Sequence, residues 1–143
     1  MSNTQFAFIK RESVPDRAAL QASLDALGFD LRLDPEFTPF EDEGFLPFTL
    51  KGEEGPGYEV YYEEASDICE EDEELAALAD GKDVCISMVW RSSMKDLACV
   101  MMVSCAYAKD FGAVISYEGN EPETVEGMLA ALPGILKESR GES

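Results

Sequence analysis

The carboxylates between Glu63 and Glu74 are the side chains of this sequence best placed to do chemistry. Eight of these twelve positions are Asp or Glu. Closely spaced carboxylates can bind a divalent cation, can act in acid/base catalysis when a pair shares a cleft, or can attract a basic macromolecule through their combined negative potential. Each possibility makes different demands on the neighbouring residues.

Metal binding is not favoured by those neighbours. A calcium loop of the EF-hand type needs a glycine among its ligands, and no glycine occurs between Glu63 and Asp80. The chain has no histidine, and its four cysteines form no Cys-x-x-Cys pair, so a zinc site is not expected either. The four cysteines are Cys69, Cys85, Cys99 and Cys105. We expect them to be reduced thiols, mostly in the core, and we expect no cofactor.

The sequence contains little that supports an enzymatic function. Neither a Gly-x-Ser-x-Gly pattern nor a P-loop occurs, and the chain has no histidine that could act as a general base. The glycine-rich segment from Gly52 to Gly57 contains Glu53 and Glu54, which would repel phosphate. The sequence therefore predicts no enzyme activity and no catalytic residues. The alternative, a hydrolase acting through a carboxylate pair, would require a concave pocket that holds two carboxylates with raised pKa values.

The distribution of charge points to a basic partner. Between Leu33 and Trp90 there are eighteen acidic and two basic residues, which account for about −16 of the net charge of −19. A pI near 4.1 argues against nucleic acid and anionic membranes as partners, because both require Lys and Arg to neutralise phosphate. Aromatic residues lie among the carboxylates and could anchor an interface. They are Phe37, Phe40, Phe45, Phe48, Tyr58, Tyr61 and Tyr62.

Helices are predicted in four places. Ser13, Pro15 and Asp16 form a capping pattern for a helix that ends at Leu27, before Gly28. Ser66 or Asp67 should cap a second helix whose first turns hold Glu70 to Glu74. Ser92 or Ser93 should begin a long apolar helix, enclosed on several sides, over 93–109. A last helix should open at Glu121-Pro122-Glu123 and run through Leu132 to Pro133-Gly134.

Strands are predicted at five places, and together they define the fold class. Residues 46–51 and 58–63 should pair as a hairpin around a Gly52–Gly57 loop, with Tyr61 and Tyr62 on opposite faces and Phe48 in the core. The other three strands are 29–33, 84–90 and 113–117, and the last two, with the buried helix between them, could form a crossover with parallel strands. We expect a single α+β domain at 1–135 and a frayed tail at 136–143, with three to four helices on a mixed or antiparallel sheet of about five strands.

Because the first ten residues lack a signal-peptide pattern and no apolar run reaches about eighteen residues, we expect a cytoplasmic protein without membrane contact.

The architecture resembles the small immunity proteins of bacterial toxin–immunity systems. The resemblance is one of composition and architecture: a short acidic chain with an amphipathic helix from Pro15 to Leu27, then hairpin strands and a late buried helix. It implies a stoichiometric inhibitor that blocks a cognate basic toxin or effector. Nucleases are one class of such toxins, and the acidic face would then imitate their phosphate substrate. The alternative is a scaffold or regulatory domain, monomeric or homodimeric, whose acidic face serves solubility.

The predicted docking face extends from Glu36 to Glu74. Its partner-binding residues are Glu41, Asp42, Glu43, Glu53, Glu54, Tyr61, Glu63, Glu64, Asp67, Glu70, Glu71, Asp72, Glu73 and Glu74.

Overall fold

Six strands and five helices make up the protein in a computed structural model, which describes residues 3–38, 41–70, 72–91 and 93–141. The strands are β1 (Asn3–Ile9), β2 (Leu31–Leu33), β3 (Gly44–Leu50), β4 (Glu53–Glu64), β5 (Val84–Trp90) and β6 (Val114–Tyr117). The helices are α1 (Arg17–Ala26), α2 (Ala65–Cys69), α3 (Glu73–Leu78), α4 (Met94–Phe111) and α5 (Val125–Arg140). A short 3-10 helix, Arg11–Ser13, joins β1 to α1.

The strands form one sheet in the order β2-β3-β4-β5-β1-β6, and every neighbouring pair is antiparallel. The predicted α+β class is confirmed, with six strands instead of about five. The additional strand is β1, which lies between β5 and β6. Because β1 separates them, β5 and β6 run in the same direction without being neighbours, and the expected pair of adjacent parallel strands is wrong.

The inner face of the sheet, as we call the side that α4 covers, carries the main hydrophobic core. Residues 98–107 of α4 are all buried, which confirms the predicted buried helix. Inward-facing residues of β5, such as Ile86 and Met88, are fully buried in the same core, and α1 and α5 pack on either side of α4. Ser93 caps α4 and Gly112 ends it in the left-handed conformation, as expected for a helix bounded by Ser and Gly.

Two predicted helix boundaries are wrong. Asp16, not Ser13, is the N-cap of α1, where its carboxylate accepts a hydrogen bond from the Ala19 amide at 2.8 Å. The last helix begins after Thr124 and continues through Pro133 to Arg140, so residues 136–140 are helical instead of frayed. Its C-terminal part belongs to the domain because Leu136 packs against the core and Ser139 is buried.

The outer face of the sheet, the side opposite α4, is covered only in part. Two short helices, α2 and α3, replace the single acidic helix that the sequence predicts, because Asp72 caps a new helix by accepting from the amides of Glu74 and Leu75. Together they cover a small cluster of buried residues: Phe8, Ala65, Ala79 and Cys85. The part of the outer face formed by β3 and β4 lies outside this cluster.

The hairpin between β3 and β4 is tighter than predicted. Its turn is Lys51-Gly52, with φ values of 50° and 81°, so the expected six-residue loop is wrong and Glu53 to Gly57 belong to β4. A positive φ at both central residues is typical of the type I′ turn that matches the strand twist. The register shifts between Pro47 and Thr49, where a bulge accommodates the glycine-rich start of β4.

Candidate functional site

All of the predicted partner-binding residues that the structure describes are exposed to solvent. Glu71 and Phe40 lie outside the described residues. Within β4, Tyr61 is 36% exposed while Tyr62 packs against the core, and Phe48 is buried at 2% exposure. The predicted orientation of these three aromatics is therefore confirmed.

The exposed carboxylates form two groups at opposite ends of β4. Glu53 and Glu54 lie beside the hairpin turn, where Glu53 forms an ion pair with Lys95 of α4 at 2.8 Å. The other carboxylates begin at the far end of β4, which the twelve-residue strand places roughly 35 Å away, and continue along the chain through α2 to the start of α3. We call this far end the acidic end and define it by Glu41, Asp42, Glu43, Glu63, Glu64, Asp67, Glu70, Asp72, Glu73 and Glu74. The predicted docking face is thus divided, and the acidic end itself extends from the loop before β3 to the start of α3, where Leu75 lies close to Gly119 beyond β6.

Some carboxylates of the acidic end stabilise the fold. Glu43 accepts a hydrogen bond from the Tyr62 amide at 2.9 Å, and Asp42 accepts one from the Thr38 amide at 2.7 Å. Glu64 forms an ion pair with Arg11 at 3.0 Å, in which both side chains are more than half exposed. These contacts hold the loop before β3 and the end of β4 in place.

The remaining carboxylates of the acidic end have no such structural role. Within the described part of the chain, the following accept no hydrogen bond and form no ion pair through their side chains: Glu41, Glu63, Asp67, Glu70, Glu73 and Glu74. Among the described residues no ion pair offsets their charges, so a negative potential extends from these carboxylates into solvent.

Two exposed aromatic residues lie on the outer face on either side of Glu59. Phe45 of β3 is directly opposite Glu59 of β4 in the strand register, and Tyr61 follows two residues later on the same face as Glu59. Phe45 is 59% exposed, which is the largest value among the three exposed large hydrophobic residues of the described chain. We call Phe45, Glu59 and Tyr61 the aromatic patch. Phe45 is thus the cross-strand neighbour of Glu59 and the diagonal neighbour of Tyr61.

A glycine positions the ring of Phe45. A Cβ atom added at Gly57 would lie 3.0 Å from Phe45 Cζ and 2.2 Å from the Leu46 carbonyl oxygen. The phenyl ring therefore lies close to the position where any other residue would place its side chain. Because Gly57 has no side chain, the ring can lie over the strand backbone at this position while Phe45 stays 59% exposed.

The sequence identified Phe45, Glu59 and Tyr61 individually but did not bring them together. The signal was present in part, because Glu59 and Tyr61 are separated by two residues in a strand and must share a face. The register between β3 and β4 could not be derived, since the glycine-rich segment was assigned to a loop.

The cysteines are thiols in different surroundings. Burial raises the pKa of Cys85 and of Cys99 to about 12, and that of Cys105 to about 11. Cys69 is partly exposed, and its pKa is raised first by partial burial and then by the nearby charge of Asp72. A thiol with a raised pKa is a weak nucleophile near neutral pH. No cluster of three or more metal-ligating side chains occurs in the described ranges.

The acidic end also forms a shallow cleft beside Arg11. Glu43, Tyr62, Glu63, Glu64 and Asp67 line it together with this arginine. Its carboxylates are exposed to solvent, and the 3-10 helix that carries Arg11 is anchored by a hydrogen bond from the Arg11 amide to Asp83.

Comparisons with protein-family models, with curated proteins and with solved structures find no match to this chain. Among the described residues, no helix is both long enough and apolar enough to cross a membrane. What can be inferred about function therefore rests on the outer face and its charges.

Proposed function

We propose that this protein is an acidic protein-binding domain that acts as a stoichiometric inhibitor, or immunity protein, of a basic toxin or effector. The observation that carries the proposal is the aromatic patch, in which Phe45 and Tyr61 flank Glu59 next to the carboxylates of the acidic end. Specific interfaces combine a few aromatic anchors with a polar rim, and this surface offers both.

The patch suits a basic side chain of the partner. An arginine or lysine that pairs with Glu59 would lie between the two rings along β4 and could interact with the π face of either one. The acidic end, which adjoins the patch along β4, would accelerate the approach of a basic partner by electrostatic steering. The proposal therefore separates an anchoring function of the patch from a steering function of the acidic end.

Binding through the sheet edges is disfavoured, which leaves the outer face as the docking surface. The Gln21 side chain of α1 pairs with the edge strand β2, donating to the Leu31 carbonyl and accepting from the Leu33 amide, each at 2.8 Å. At the other edge, the Glu123 amide donates to the Ile115 carbonyl of β6 at 2.8 Å. Because these contacts occupy backbone groups that an added strand would use, the partner is expected to bind side chains.

Self-association through this face, the basis of the alternative scaffold function, is disfavoured by charge. A symmetric dimer apposes the same surface of two copies. Here it would bring two acidic ends and two copies of Glu59 together in a protein with a net charge of −19. Like charges at an interface cost several kcal/mol, so a basic protein is the better complement.

The proposal can be tested by capturing the partner with matched variants. The gene beside the one for this protein supplies the first candidate, because an immunity protein is expected next to its target. Phe45→Ser with Tyr61→Ser should weaken binding of that candidate roughly 30-fold by removing two anchors. Leu129→Ser is the matched control, because Leu129 is exposed on α5, 38% accessible and outside the patch, and its removal should leave binding unchanged.

A second pair of variants tests the steering function. Asp67→Lys with Glu74→Lys should slow association about tenfold at low salt and much less at high salt, whereas dissociation should change little. If the patch variant and the Leu129 control bind the candidate equally well, the aromatic patch is not the docking site. If the wild-type protein binds the candidate but does not reduce its toxicity in coexpressing cells, the inhibitor function is wrong.

A further inference from the structure

A second candidate site lies on the inner side of the sheet, away from the outer face. It is a cavity of about 370 Å³ between the ends of β1, β5 and β6 and the start of α4, closed on one side by Ile135 of α5. This volume is within the range of pockets that bind small molecules. The apolar part of its lining consists of Trp90, Met94, Leu97, Met101, Tyr117 and Ile135.

Among the described residues that line this cavity, Glu123 carries the only carboxylate and Arg91 the only cationic side chain. The antiparallel bridge between Glu123 and Ile115 directs the Glu123 side chain to the inner side of the sheet, the side to which the buried Ile115 points. Its Oε2 atom is buried, and among the described residues it has no hydrogen-bond partner. Burial raises the pKa of this carboxyl group. A buried acceptor without a partner is costly, so a ligand that donates a hydrogen bond there would be favoured.

The cavity is held open by polar contacts in its wall. The Tyr117 hydroxyl donates to Asn3 Oδ1 at 2.9 Å, and the Asn3 amide nitrogen donates to the Arg91 carbonyl at 2.9 Å. Gln5 is fixed from behind by a hydrogen bond from its amide nitrogen to Ser104 Oγ at 2.7 Å. The ring centroids of Trp90 and Tyr117 lie 5.9 Å apart, and the two ring planes are tilted by 48°. Both rings can therefore contact one ligand. A site whose walls are already fixed loses little entropy on binding.

We propose that this cavity binds a small organic cation, a primary amine with an apolar body, whose ammonium group donates to Glu123. The apolar body would contact the methionines and Leu97, and the aromatic walls favour a cation over a neutral group. A divalent metal is a poorer occupant, because the lining supplies one carboxylate where such ions need several oxygen ligands. An anion could pair with Arg91 but would leave the buried Glu123 Oε2 atom without a hydrogen-bond donor. The proposal is independent of the outer-face function.

The single tryptophan of the chain provides the measurement. Because Trp90 lines the cavity, its fluorescence should change saturably when cyclohexylmethylamine is added at neutral pH. Cyclohexylmethanol is the matched neutral compound, and it should bind about tenfold more weakly because it lacks the charge-assisted hydrogen bond. Both compounds are transparent where tryptophan absorbs.

A pair of variants assigns the effect to one carboxylate. Glu123→Gln should weaken amine binding about tenfold. Glu121→Gln, which removes the same charge from an exposed residue two positions away that does not line the cavity, should leave the amine affinity unchanged. Equal affinities for the amine and the alcohol, an equal effect of the two variants, or no saturable fluorescence change would each overturn the proposal. The comparison of the two compounds on the wild-type protein holds even if a variant fails to fold.

Discussion

The inner and outer faces of the sheet are built from alternate residues of the same strands, yet they differ in how much of each is buried. In β5, Ile86 and Met88 point into the large core under α4, whereas Cys85 points to the small cluster under α2 and α3. In β3, Phe48 is buried on the inner face and Phe45 is exposed on the outer face. The larger core lies on the inner face, so most of the apolar burial that stabilises this fold is there, while part of the outer face stays exposed to solvent.

The largest expected effect that tests this contrast is on folding stability. Ile86→Ala removes a side chain with 0% exposure from the main core and should lower the free energy of unfolding by about 3 kcal/mol. Tyr61→Ala, at an exposed site of the neighbouring strand, should lower it by less than about 1 kcal/mol. Urea unfolding of both variants measures the difference. Similar losses for the two would mean that the outer face contributes to stability as much as the inner face.

Alkaline pH should destabilise the protein through thiols on both faces. Burial raises the folded-state pKa of Cys85, on the outer face, and of Cys99, in α4, from 9.0 to about 12. Below pH 9 both the folded and the unfolded thiols are protonated. Above it the unfolded state loses protons that the folded state retains, so stability falls with rising pH until the folded pKa is reached. The expected loss is about 1 kcal/mol per thiol for each pH unit.

The measurement is the free energy of unfolding just below pH 9 and one unit above it. Cys85→Ala and Cys99→Ala should each reduce the pH-dependent loss by a similar amount. If Cys85→Ala leaves the pH dependence of stability unchanged while Cys99→Ala reduces it, α2 and α3 do not cover Cys85 in solution. More of the outer face would then be exposed to solvent than the structure shows.

A smaller effect is expected at the cap of α3. Asp72→Ala removes the acceptor of two amide hydrogen bonds, at 3.0 Å from Glu74 and 3.1 Å from Leu75, and should cost about 1 kcal/mol. Asp72→Asn keeps the cap and removes one negative charge from the acidic end, so its stability should equal or slightly exceed that of the wild type. Urea unfolding compares the two variants. Equal destabilisation by both would show that the charge of Asp72, and not its capping oxygen, stabilises this end.

Much of the inner face could be predicted from the sequence. The apolar run from Leu97 to Ala108 has no polar face, which predicts an enclosed helix, and the continuous apolar run of β5 predicts a central strand. Strand β1 was not predicted because Phe6 and Phe8 are apolar on one face while Ala7 and Ile9 are apolar on the other. A run without alternation, flanked by no turn signal on its N-terminal side, does not distinguish a strand from other buried segments.

The outer face was harder to predict because its geometry depends on exceptions to local rules. Gly52 to Gly57 has the composition of a loop, but Gly57 lies in a strand where the Leu46 carbonyl approaches too closely for a side chain. The Pro133-Gly134 pair is typical of the end of a helix, but α5 continues through it. Glu123 could not be predicted as a site residue, because a single carboxylate in a loop indicates a site only when the residues around it are known.

Carboxyl-group footprinting of the free and partner-saturated protein, read out by mass spectrometry, tests the assignment of recognition to the outer face most directly. The account predicts that Glu59, Glu63 and Asp67 lose reactivity in the complex, while the exposed carboxylates Asp25 of α1 and Glu126 of α5 keep theirs. Protection confined to Asp25 and Glu126, with Glu59 and Glu63 unchanged, would place the partner on the helical layer and contradict the account.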